Sequence, residues 1–160
     1  SVYPEQPLIV QEFMPGLEVS MAILGTKIMG PVYVDYSDSP PSMARVLSSE
    51  YKTNLASRES RTIKLKPAGR LLSADNLEYL HNVTVRIRDV LGIRDYATID
   101  FRMNARGEFC VLDVNNNCSL DPDGVLSDLY RFETGRTWHD LIRTVSVVFL
   151  SRLGLAKDEP

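Results

Sequence analysis

The sequence lacks the features that mark a secreted, membrane-spanning or nucleic-acid-binding chain. Its 160 residues include only two cysteines, and its formal net charge is −3. Cys110 and Cys118 are too few for a disulfide scaffold, and His81 and His139 are too scattered to complete a zinc site with them. No segment approaches the roughly 20 apolar residues that span a bilayer, and no basic excess would attract nucleic acid. We therefore expect a cytoplasmic chain with reduced thiols, no membrane association and no nucleic-acid partner.

The remaining composition is that of one folded domain. Hydrophobic residues make up 44% of the chain and charged residues 24%, which are ordinary values for a globular protein. A chain of this length can bury a substantial core. The first residue is Ser1 rather than Met, and no signal peptide is visible at this end. We expect a single domain over residues 1–160 that is a piece of a longer protein.

The hydrophobic pattern predicts an α+β fold, in which an antiparallel sheet has helices packed on it. Apolar residues recur every three or four positions from Leu77 to Leu91, with Ser73 placed as the N-cap of this helix and Gly92 as its C-cap glycine. Alternating and β-rich segments predict strands, and two later amphipathic segments predict helices. The predicted strands are 7–13, 17–25, 30–35, 62–66, 96–104 and 108–115, and the predicted C-terminal helices are 125–132 and 137–153.

Three polar side chains lie inside the clearest predicted hairpin, which surrounds a turn at residues 104–107. Asp100 is on its first strand, whereas Asp113 and Asn115 are on its second strand, about 6.6 Å apart along it. Two close carboxylates repel each other unless a cation lies between them. Mg²⁺ takes its oxygen ligands from one or two carboxylates, waters and phosphates. The trio therefore indicates a magnesium–nucleotide site; the alternative that the hairpin alone leaves open is an ordinary solvated polar face.

The length of the hairpin loop decides whether the trio shares one face of the sheet, because side chains alternate between faces. A three-residue loop would pair Asn104 with Glu108 and place Asp100 opposite Leu112. A two- or four-residue loop would place Asp100 on the face of Asp113. We predict this second register, because it also gathers apolar side chains on the opposite face. These are Ile99, Phe101, Met103, Cys110, Leu112 and Val114.

The hairpin resembles one found in a known family. Asp100-Phe101-Arg102, a glycine turn and then Cys110-Val-Leu-Asp-Val-Asn115 resemble the metal-binding hairpin of ATP-grasp ligases, most closely the D-alanine–D-alanine ligase group. That family holds magnesium with an acidic residue on the first strand and a Leu-Glu-x-Asn sequence on the second. The resemblance implies that Asp100, Asp113 and Asn115 are the magnesium ligands, with Asp113 where the family usually has Glu. It also implies ATP and one or two Mg²⁺ ions, for which Mn²⁺ can substitute, as cofactors.

A second segment carries the same resemblance. Residues 8–20, with the sequence LIVQEFMPGLEVS, are similar to the family's adenine-binding strand and hinge. The resemblance implies that Glu18 bonds the ribose hydroxyls, and that the hinge lines the adenine slot with main-chain contacts at Glu12 and Met14. The implied nucleotide-binding residues are Gln11, Glu12, Phe13, Met14 and Glu18.

The catalytic residues that the resemblance implies are a lysine and an arginine. Glu50-Tyr51-Lys52 is similar to the loop that brings a lysine to the γ-phosphate, which makes Lys52 the candidate. The family usually has Arg two residues before the first metal acid. This chain has Thr98 there, so Arg102 on the same face is the candidate substitute. Gly124 falls near the position of a family Ser that binds the second amino acid's carboxylate. These departures predict an acceptor other than D-alanine.

The resemblance implies a reaction and a set of partners. The reaction is ATP-dependent carboxylate–amine ligation through an acyl phosphate, with ATP, a small carboxylate and an amine or similar acceptor as substrates. The matches cover roughly residues 8 to 125, and the chain is about half of what this chemistry requires. We therefore expect an ATP-grasp C-terminal subdomain that needs the rest of its own domain, is inactive alone and can also form a homodimer. The alternative is a non-catalytic nucleotide-binding or assembly module derived from an ATP-grasp domain.

Overall fold

A single antiparallel sheet organises the chain. The computed structural model describes residues 9–40, 45–46 and 63–156. In these ranges five strands pair in the order β3-β2-β1-β4-β5, and every pairing is antiparallel. The strands are β1 (Glu18–Leu24), β2 (Lys27–Asp35), β3 (Lys64–Pro67), β4 (Tyr96–Met103) and β5 (Phe109–Asn115), and the helices are α1 (Ala74–Leu91), α2 (Val125–Thr134) and α3 (Trp138–Arg152). The predicted α+β fold is confirmed.

The two faces of the sheet pack against different helices. One face contributes alternate residues of β1 and β4 to a first core, which Leu80 of α1 completes. The opposite face contributes Ala22 and Leu24 to a second core with Leu126, Leu129 and Leu141 from α2 and α3. Burying a side chain of this size stabilises the fold by about 1.5–3 kcal/mol. The sheet is therefore a middle layer between α1 and the α2–α3 pair.

Local sequence determines where α1 begins and ends. The Ser73 hydroxyl accepts a hydrogen bond from the Asn76 N–H at 3.2 Å, which satisfies one of the free donors of the first turn. Gly92 adopts the left-handed conformation with φ 63° and ends the helix. Both predicted caps are confirmed. Within the described ranges, no helix has the combination of length and apolar character that crossing a membrane requires.

The predicted strand at 7–13 does not form in the part that the structure describes. Residues 9–13 have no regular structure, and Ile9 and Val10 are 86% and 93% exposed. The β-rich composition was misleading because a strand needs a partner. Both edges of β1 are already paired, one with β2 and one with β4.

The hairpin loop differs from its prediction. The Asn104 N–H donates to the Glu108 carbonyl at 2.9 Å, so the loop has three residues. The Asn104 side chain accepts hydrogen bonds from the Arg106 and Glu108 N–H groups, and Gly107 has φ 83°, as three-residue hairpin loops favour. The predicted two- or four-residue loop is therefore wrong.

A β-bulge in β5 nevertheless produces the predicted face for the acids. Asp100 pairs with Asp113 and Phe101 with Val111, so Leu112 is the extra residue. One inserted residue reverses the side-chain alternation, so Asp113 lies on the same face as Asp100 in spite of the three-residue loop. The predicted apolar set is correct for Val114, which packs on the first core. It is wrong for Cys110, which lies opposite Arg102, and for Leu112, which is 47% exposed.

The C-terminal helices follow their predicted ranges to within two residues. Leu141 is fully buried, and Trp138 and Val145 pack against the second core. The Trp138 Nε1–H donates to the Leu120 carbonyl at 2.6 Å, which fixes the start of α3 against the loop before α2. The same stripe at helical spacing predicts a packed Phe149, but Phe149 is 44% exposed, and its neighbour Val148 packs against the second core instead.

An ion pair at the β2–β3 edge predicts a pH dependence of stability. Lys66 contacts Asp35, and the Ser37 N–H and hydroxyl each donate to the same carboxylate at 3.0 Å. Lys66, first, and the Ser37 N–H lower the pKa of Asp35 from 3.8 to about 2. A lowered pKa stabilises the fold above the unfolded-state value, and this contribution is lost as pH falls through the folded-state value.

We expect Asp35→Asn to remove this contribution at every pH. The free energy of unfolding should then change less between about pH 4 and pH 2 than in the parent, by about 1 kcal/mol or less because Lys66 is solvent-screened. Urea unfolding across this pH range measures the difference. Lys66→Met should flatten the profile in part, because the Ser37 hydrogen bonds to Asp35 remain. An unchanged profile in both variants would show that the pair does not contribute.

Candidate functional site

One half of the second sheet face is polar, and the site is built there. The residues at the Ala22–Leu24 end of β1 are covered by α2 and α3. Towards the other end, the side chains on the same face form rows across β1, β4 and β5. The rows are Ala22–Thr98–Asn115, Ser20–Asp100–Asp113 and Glu18–Arg102–Cys110. We call the last two rows and Asn115 the polar half-face.

The three predicted metal ligands come together on this half-face. Asp100 lies directly opposite Asp113, and Asn115 is one row away. Directly opposed residues of an antiparallel pair have Cβ atoms about 4.5–5.5 Å apart, and like charges there destabilise the sheet. Asp113 and Asn115 are exposed and Asp100 is half-buried. Two carboxylates that face each other beside solvent form a site suited to a cation.

One oxygen of each side chain in the trio accepts a hydrogen bond that orients it. Asp100 Oδ1 accepts from the Ser20 hydroxyl at 2.6 Å. Asp113 Oδ1 accepts from the Val114 N–H at 2.9 Å, and Asn115 Oδ1 accepts from the Asn117 N–H at 3.1 Å. Carboxylate and amide oxygens can accept more than one bond, so these contacts leave room for a metal.

The trio is an incomplete cage by itself. In the part of the chain that the structure describes, no group of three or more His, Cys, Asp or Glu side chains could hold a metal ion. Asp100 and Asp113 supply two carboxylates and Asn115 an amide. This donor set fits Mg²⁺, which commonly uses one or two protein carboxylates and completes its shell with water and phosphate oxygens.

The predicted ribose ligand and the predicted catalytic arginine are bonded to each other. Arg102 NH1 donates to Glu18 Oε2 at 2.6 Å, and the two residues are 5% and 8% exposed. The Tyr36 hydroxyl lies 3.5 Å from the same Glu18 oxygen. Burial, with a contribution from the Glu18 charge, raises the pKa of Tyr36, so that the hydroxyl stays protonated. The sequence assigned Glu18 to ribose binding and Arg102 to catalysis, and it did not predict that the two residues form an ion pair.

The predicted adenine-slot residues lie in the irregular segment 9–17 before β1, which we call the hinge. Gln11, Glu12 and Phe13 are exposed and Met14 is half-buried. Met14 is bound to the sheet, because its carbonyl accepts from Arg102 Nε at 2.6 Å. The Arg102 guanidinium also lies 5.0 Å from the centroid of the Phe13 ring. The hinge therefore contacts the polar half-face through Arg102.

Gly16 lets the hinge approach the sheet closely. Its N–H donates to the Met103 carbonyl at 3.0 Å. A Cβ at this position would lie 2.6 Å from that carbonyl oxygen and 2.7 Å from the Met103 Cβ. Glycine allows this close approach because it has no Cβ.

Lys52 falls outside the residues that the structure describes, and its catalytic role stays a prediction. The two positions that depart from the family pattern are both described. Thr98 is buried beside Cys118. Burial raises the pKa of the Cys118 thiol, and a hydrogen bond from Thr98 offsets part of this increase. A Cβ at Gly124 would lie 3.1 Å from the Asp121 carbonyl oxygen and 3.2 Å from that of Ser119. A serine there would crowd the turn before α2.

Ser20 is a site residue that sequence reasoning missed. Its hydroxyl orients Asp100 across the β1–β4 pair. The available signal was the alternation itself, since Ser20 follows Glu18 by two residues and must share its face. The partner on β4 could not be identified without the β1–β4 register.

The fold matches solved ligase structures. The D-alanine–D-alanine ligase of Bacillus anthracis complexed with ATP superposes with a TM-score of 0.63 at 13% identity, over 89% of this chain and 41% of that chain. The D-alanyl-alanine synthetase A of Vibrio cholerae gives 0.62 at 16% identity, over 86% and 40%. The VanG D-Ala:D-Ser ligase of Enterococcus faecalis gives 0.56 at 15% identity, over 90% and 37%. No family model and no curated protein sequence matches the chain.

These similarities establish the fold class. The chain has the fold of the corresponding part of these D-alanine ligase structures, as the sequence resemblance predicted. It spans about two-fifths of the length of the solved ligase chains, which are 41%, 40% and 37% covered. At these identities the superposition establishes the architecture, and the activity is a separate question.

Gly16 gives a direct test of the hinge geometry. We expect Gly16→Ala to lower the free energy of unfolding by about 1–3 kcal/mol, because the new methyl overlaps Met103 and forces the hinge away from β4. Gly69→Ala is the matched control, since a Cβ there meets nothing within 4 Å. Urea unfolding of both variants measures the difference, and equal stability would contradict the close approach.

Proposed function

We infer that the chain is the C-terminal subdomain of the ATP-grasp domain of an ATP-dependent carboxylate–amine ligase. The observation that supports this most is the facing pair of Asp100 and Asp113 beside Asn115, on the polar half-face of a sheet with the ligase fold. The Bacillus anthracis ligase of the same fold is complexed with ATP. Neither the fold nor the acid pair alone would support a nucleotide site as well as the two together.

Asp100, Asp113 and Asn115 would hold magnesium in this function. The ion would neutralise charge on the phosphate oxygens during transfer, which is largely an electrostatic and positioning task. The protein's part is to hold the three oxygens on adjacent rows of a rigid sheet, with Asp100 oriented by Ser20. Glu18, Met14 and the neighbouring hinge residues Gln11, Glu12 and Phe13 would bind the adenosine end of ATP.

The proposed reaction has two steps. A carboxylate oxygen of the substrate attacks the γ-phosphorus of ATP, the bond from that phosphorus to the β–γ bridging oxygen breaks, and ADP leaves. The amine of the acceptor then attacks the carbonyl carbon of the acyl phosphate, loses a proton, and inorganic phosphate leaves as the amide forms. Lys52 is proposed to contact the γ-phosphate in the first step.

The acceptor is proposed to differ from D-alanine. Thr98 replaces the arginine that the resemblance places two residues before the first metal acid, and the crowded turn at Gly124 disfavours a serine there. Arg102 was the candidate substitute, but its guanidinium nitrogens are already bonded to protein acceptors. A different carboxylate contact, or an acceptor without a carboxylate, is consistent with these departures.

One observation favours the non-catalytic alternative. Among the described residues of the polar half-face, Arg102 is the cationic side chain, and it is buried in an ion pair with Glu18. A ligase needs positive charge near the acyl phosphate, which must then come from Lys52 or from elsewhere in the protein. ATP- and amine-dependent release of phosphate by the longer protein would support the ligase, whereas nucleotide binding without turnover would support the module.

Replacing the metal ligands tests the magnesium site. We expect Asp113→Ala and Asn115→Ala each to weaken magnesium-dependent ATP binding by at least about tenfold, which corresponds to about 1.4 kcal/mol. Binding in the absence of magnesium should change little, since the nucleotide contacts remain. NMR titration of the 160-residue chain with ATP, with and without Mg²⁺, measures both constants.

Glu78→Ala is the matched control for the loss of one oxygen-bearing side chain, because Glu78 is exposed on α1, which packs against the other face of the sheet. It should bind Mg·ATP as the parent does. If Asp113→Ala and Asn115→Ala also bind Mg·ATP like the parent, the metal assignment is wrong.

The hydrogen bond from Ser20 to Asp100 predicts an indirect effect on the metal. Groups that orient metal ligands typically contribute about 10–100-fold to metal affinity. We therefore expect Ser20→Ala to weaken Mg²⁺ binding by about tenfold while the fold is retained. Ser146→Ala removes an exposed hydroxyl that bonds a helix carbonyl and should leave Mg²⁺ affinity unchanged. Parallel Mg²⁺ titrations of the two variants separate orientation of Asp100 from a general effect of losing a serine.

A further inference from the structure

The Arg102 guanidinium joins three segments that are far apart in the sequence. Nε donates to the Met14 carbonyl at 2.6 Å, NH1 to Glu18 Oε2 at 2.6 Å and NH2 to the Arg45 carbonyl at 2.5 Å. Each nitrogen of the planar fork therefore has its own acceptor. The side chain lies at the centre of a small network that connects β4, β1, the hinge and the segment at residue 45.

Burial makes the Glu18 carboxylate depend on its hydrogen-bond and ion-pair partners. Glu18 and Arg102 are each more than nine-tenths buried, and a buried carboxylate is stable only when it is paired and hydrogen-bonded. Among the described residues, the charged groups around the pair are Arg45 and, beyond Tyr36, Asp35 with its partner Lys66. The Arg102 guanidinium contacts the Glu18 carboxylate at 2.6 Å. The orientation of the carboxylate therefore depends on the guanidinium.

Two of the three acceptors belong to the proposed nucleotide site. Met14 is in the hinge that would contact the base, and Glu18 is the acid that would contact the ribose. The hinge itself is held to β4 by two main-chain hydrogen bonds, from Gly16 N–H to the Met103 carbonyl and from Met103 N–H to the Leu17 carbonyl. Met14 lies beyond both of these bonds, so its position depends on Arg102. A cleft of about 480 Å³ opens beside the pair and is lined by Glu18, Tyr36 and Arg102 among others.

We propose that Arg102 is a positioning residue that sets the spacing between the base-binding hinge and the ribose-binding carboxylate, and thereby makes the site select ribonucleotides over 2′-deoxyribonucleotides. The inference rests on the nucleotide site of the proposed function and assigns to Arg102 a task other than contact with the reacting groups. The side chain acts through Glu18 and Met14, because its own nitrogens are engaged.

Lysine cannot replace arginine in this task. An ammonium is a point charge at the end of a flexible chain, whereas the guanidinium presents its donors in a fixed planar fork. Lys at position 102 could pair with Glu18, but it could not hold Glu18, Met14 and the Arg45 carbonyl in one fixed geometry. Arg102→Lys therefore separates the charge of the side chain from its shape.

The test compares ATP with 2′-deoxy-ATP, both with Mg²⁺, by protein-observed NMR titration of the 160-residue chain. The parent should prefer ATP by about tenfold, the effect of one hydrogen bond to a charged group. Arg102→Lys and Arg102→Met should bring this ratio to within about twofold of unity. Arg86→Met removes an exposed arginine of α1 and should keep the parent's ratio.

A second variant keeps the test decisive if Arg102→Met does not fold. Arg102→Lys keeps a positive charge beside the buried Glu18, so it should fold where Arg102→Met does not. It should still fail to discriminate between the nucleotides. A role for Arg102 that is limited to balancing the Glu18 charge predicts that folded Arg102→Lys keeps the parent's ratio, whereas a positioning role predicts that the ratio falls to near unity.

The outcomes distinguish this inference from the function on which it rests. A parent chain that binds neither nucleotide in the presence of Mg²⁺ contradicts the proposed function itself. A parent that prefers ATP, together with an Arg102→Lys variant that keeps the same preference, contradicts only the positioning role. Loss of the ratio in Arg102→Lys with an unchanged dependence on Mg²⁺ supports it.

Discussion

The alternation of side chains along β1 and β4 is the constraint on which the rest of the structure depends. Residues at odd positions of both strands build the first core with α1, so residues at even positions must face the other way. That second face changes along the strands from Ala22 and Leu24 to Ser20 and Glu18. The helices α2 and α3 cover its apolar half, whereas Glu18, Ser20 and Arg102 of the polar half are buried with hydrogen-bond partners. The exposed part of the polar half, at Asp113 and Asn115, is where a ligand can bind.

The elements that local sequence determines were predictable. The caps of α1, the two hairpin strands and the two C-terminal helices all follow from short-range patterns, since a helix or a tight hairpin makes its contacts within a few residues. The hairpin loop was predicted wrongly because two effects of opposite sign lie close together. Asn104 and Gly107 favour a three-residue loop, and the bulge at Leu112 restores the face of Asp113. Motif residues can therefore share a face even when the simplest register places them apart.

The parts of the site that could not be predicted depend on long-range contacts. The Glu18–Arg102 pair joins residues 84 positions apart, and the Ser20–Asp100 bond joins residues 80 positions apart. Both require that β1 and β4 be neighbours, although β2, β3 and α1 separate them along the chain. Composition has the same limit at residues 9–13, where a β-rich segment forms no strand, and the strand that follows it, β1, has both edges occupied by β2 and β4. Whether a segment pairs as a strand therefore depends on the arrangement of the whole sheet and not on the composition of the segment alone.

The acidic residues in the two rows of the polar half-face have different electrostatic environments. In one row the charge of Glu18 is balanced by Arg102 in a buried pair, which favours a fixed, neutral contact surface suited to hydroxyl groups. In the next row Asp100 faces Asp113, and the arginine is not available to balance them because its nitrogens are bonded elsewhere. Like charges in direct opposition are costly, and this cost favours a divalent cation over water between them. The same sheet can thus present a neutral surface to a sugar and a negative one to a metal about 7 Å further along each strand, since alternate residues of a strand are that far apart.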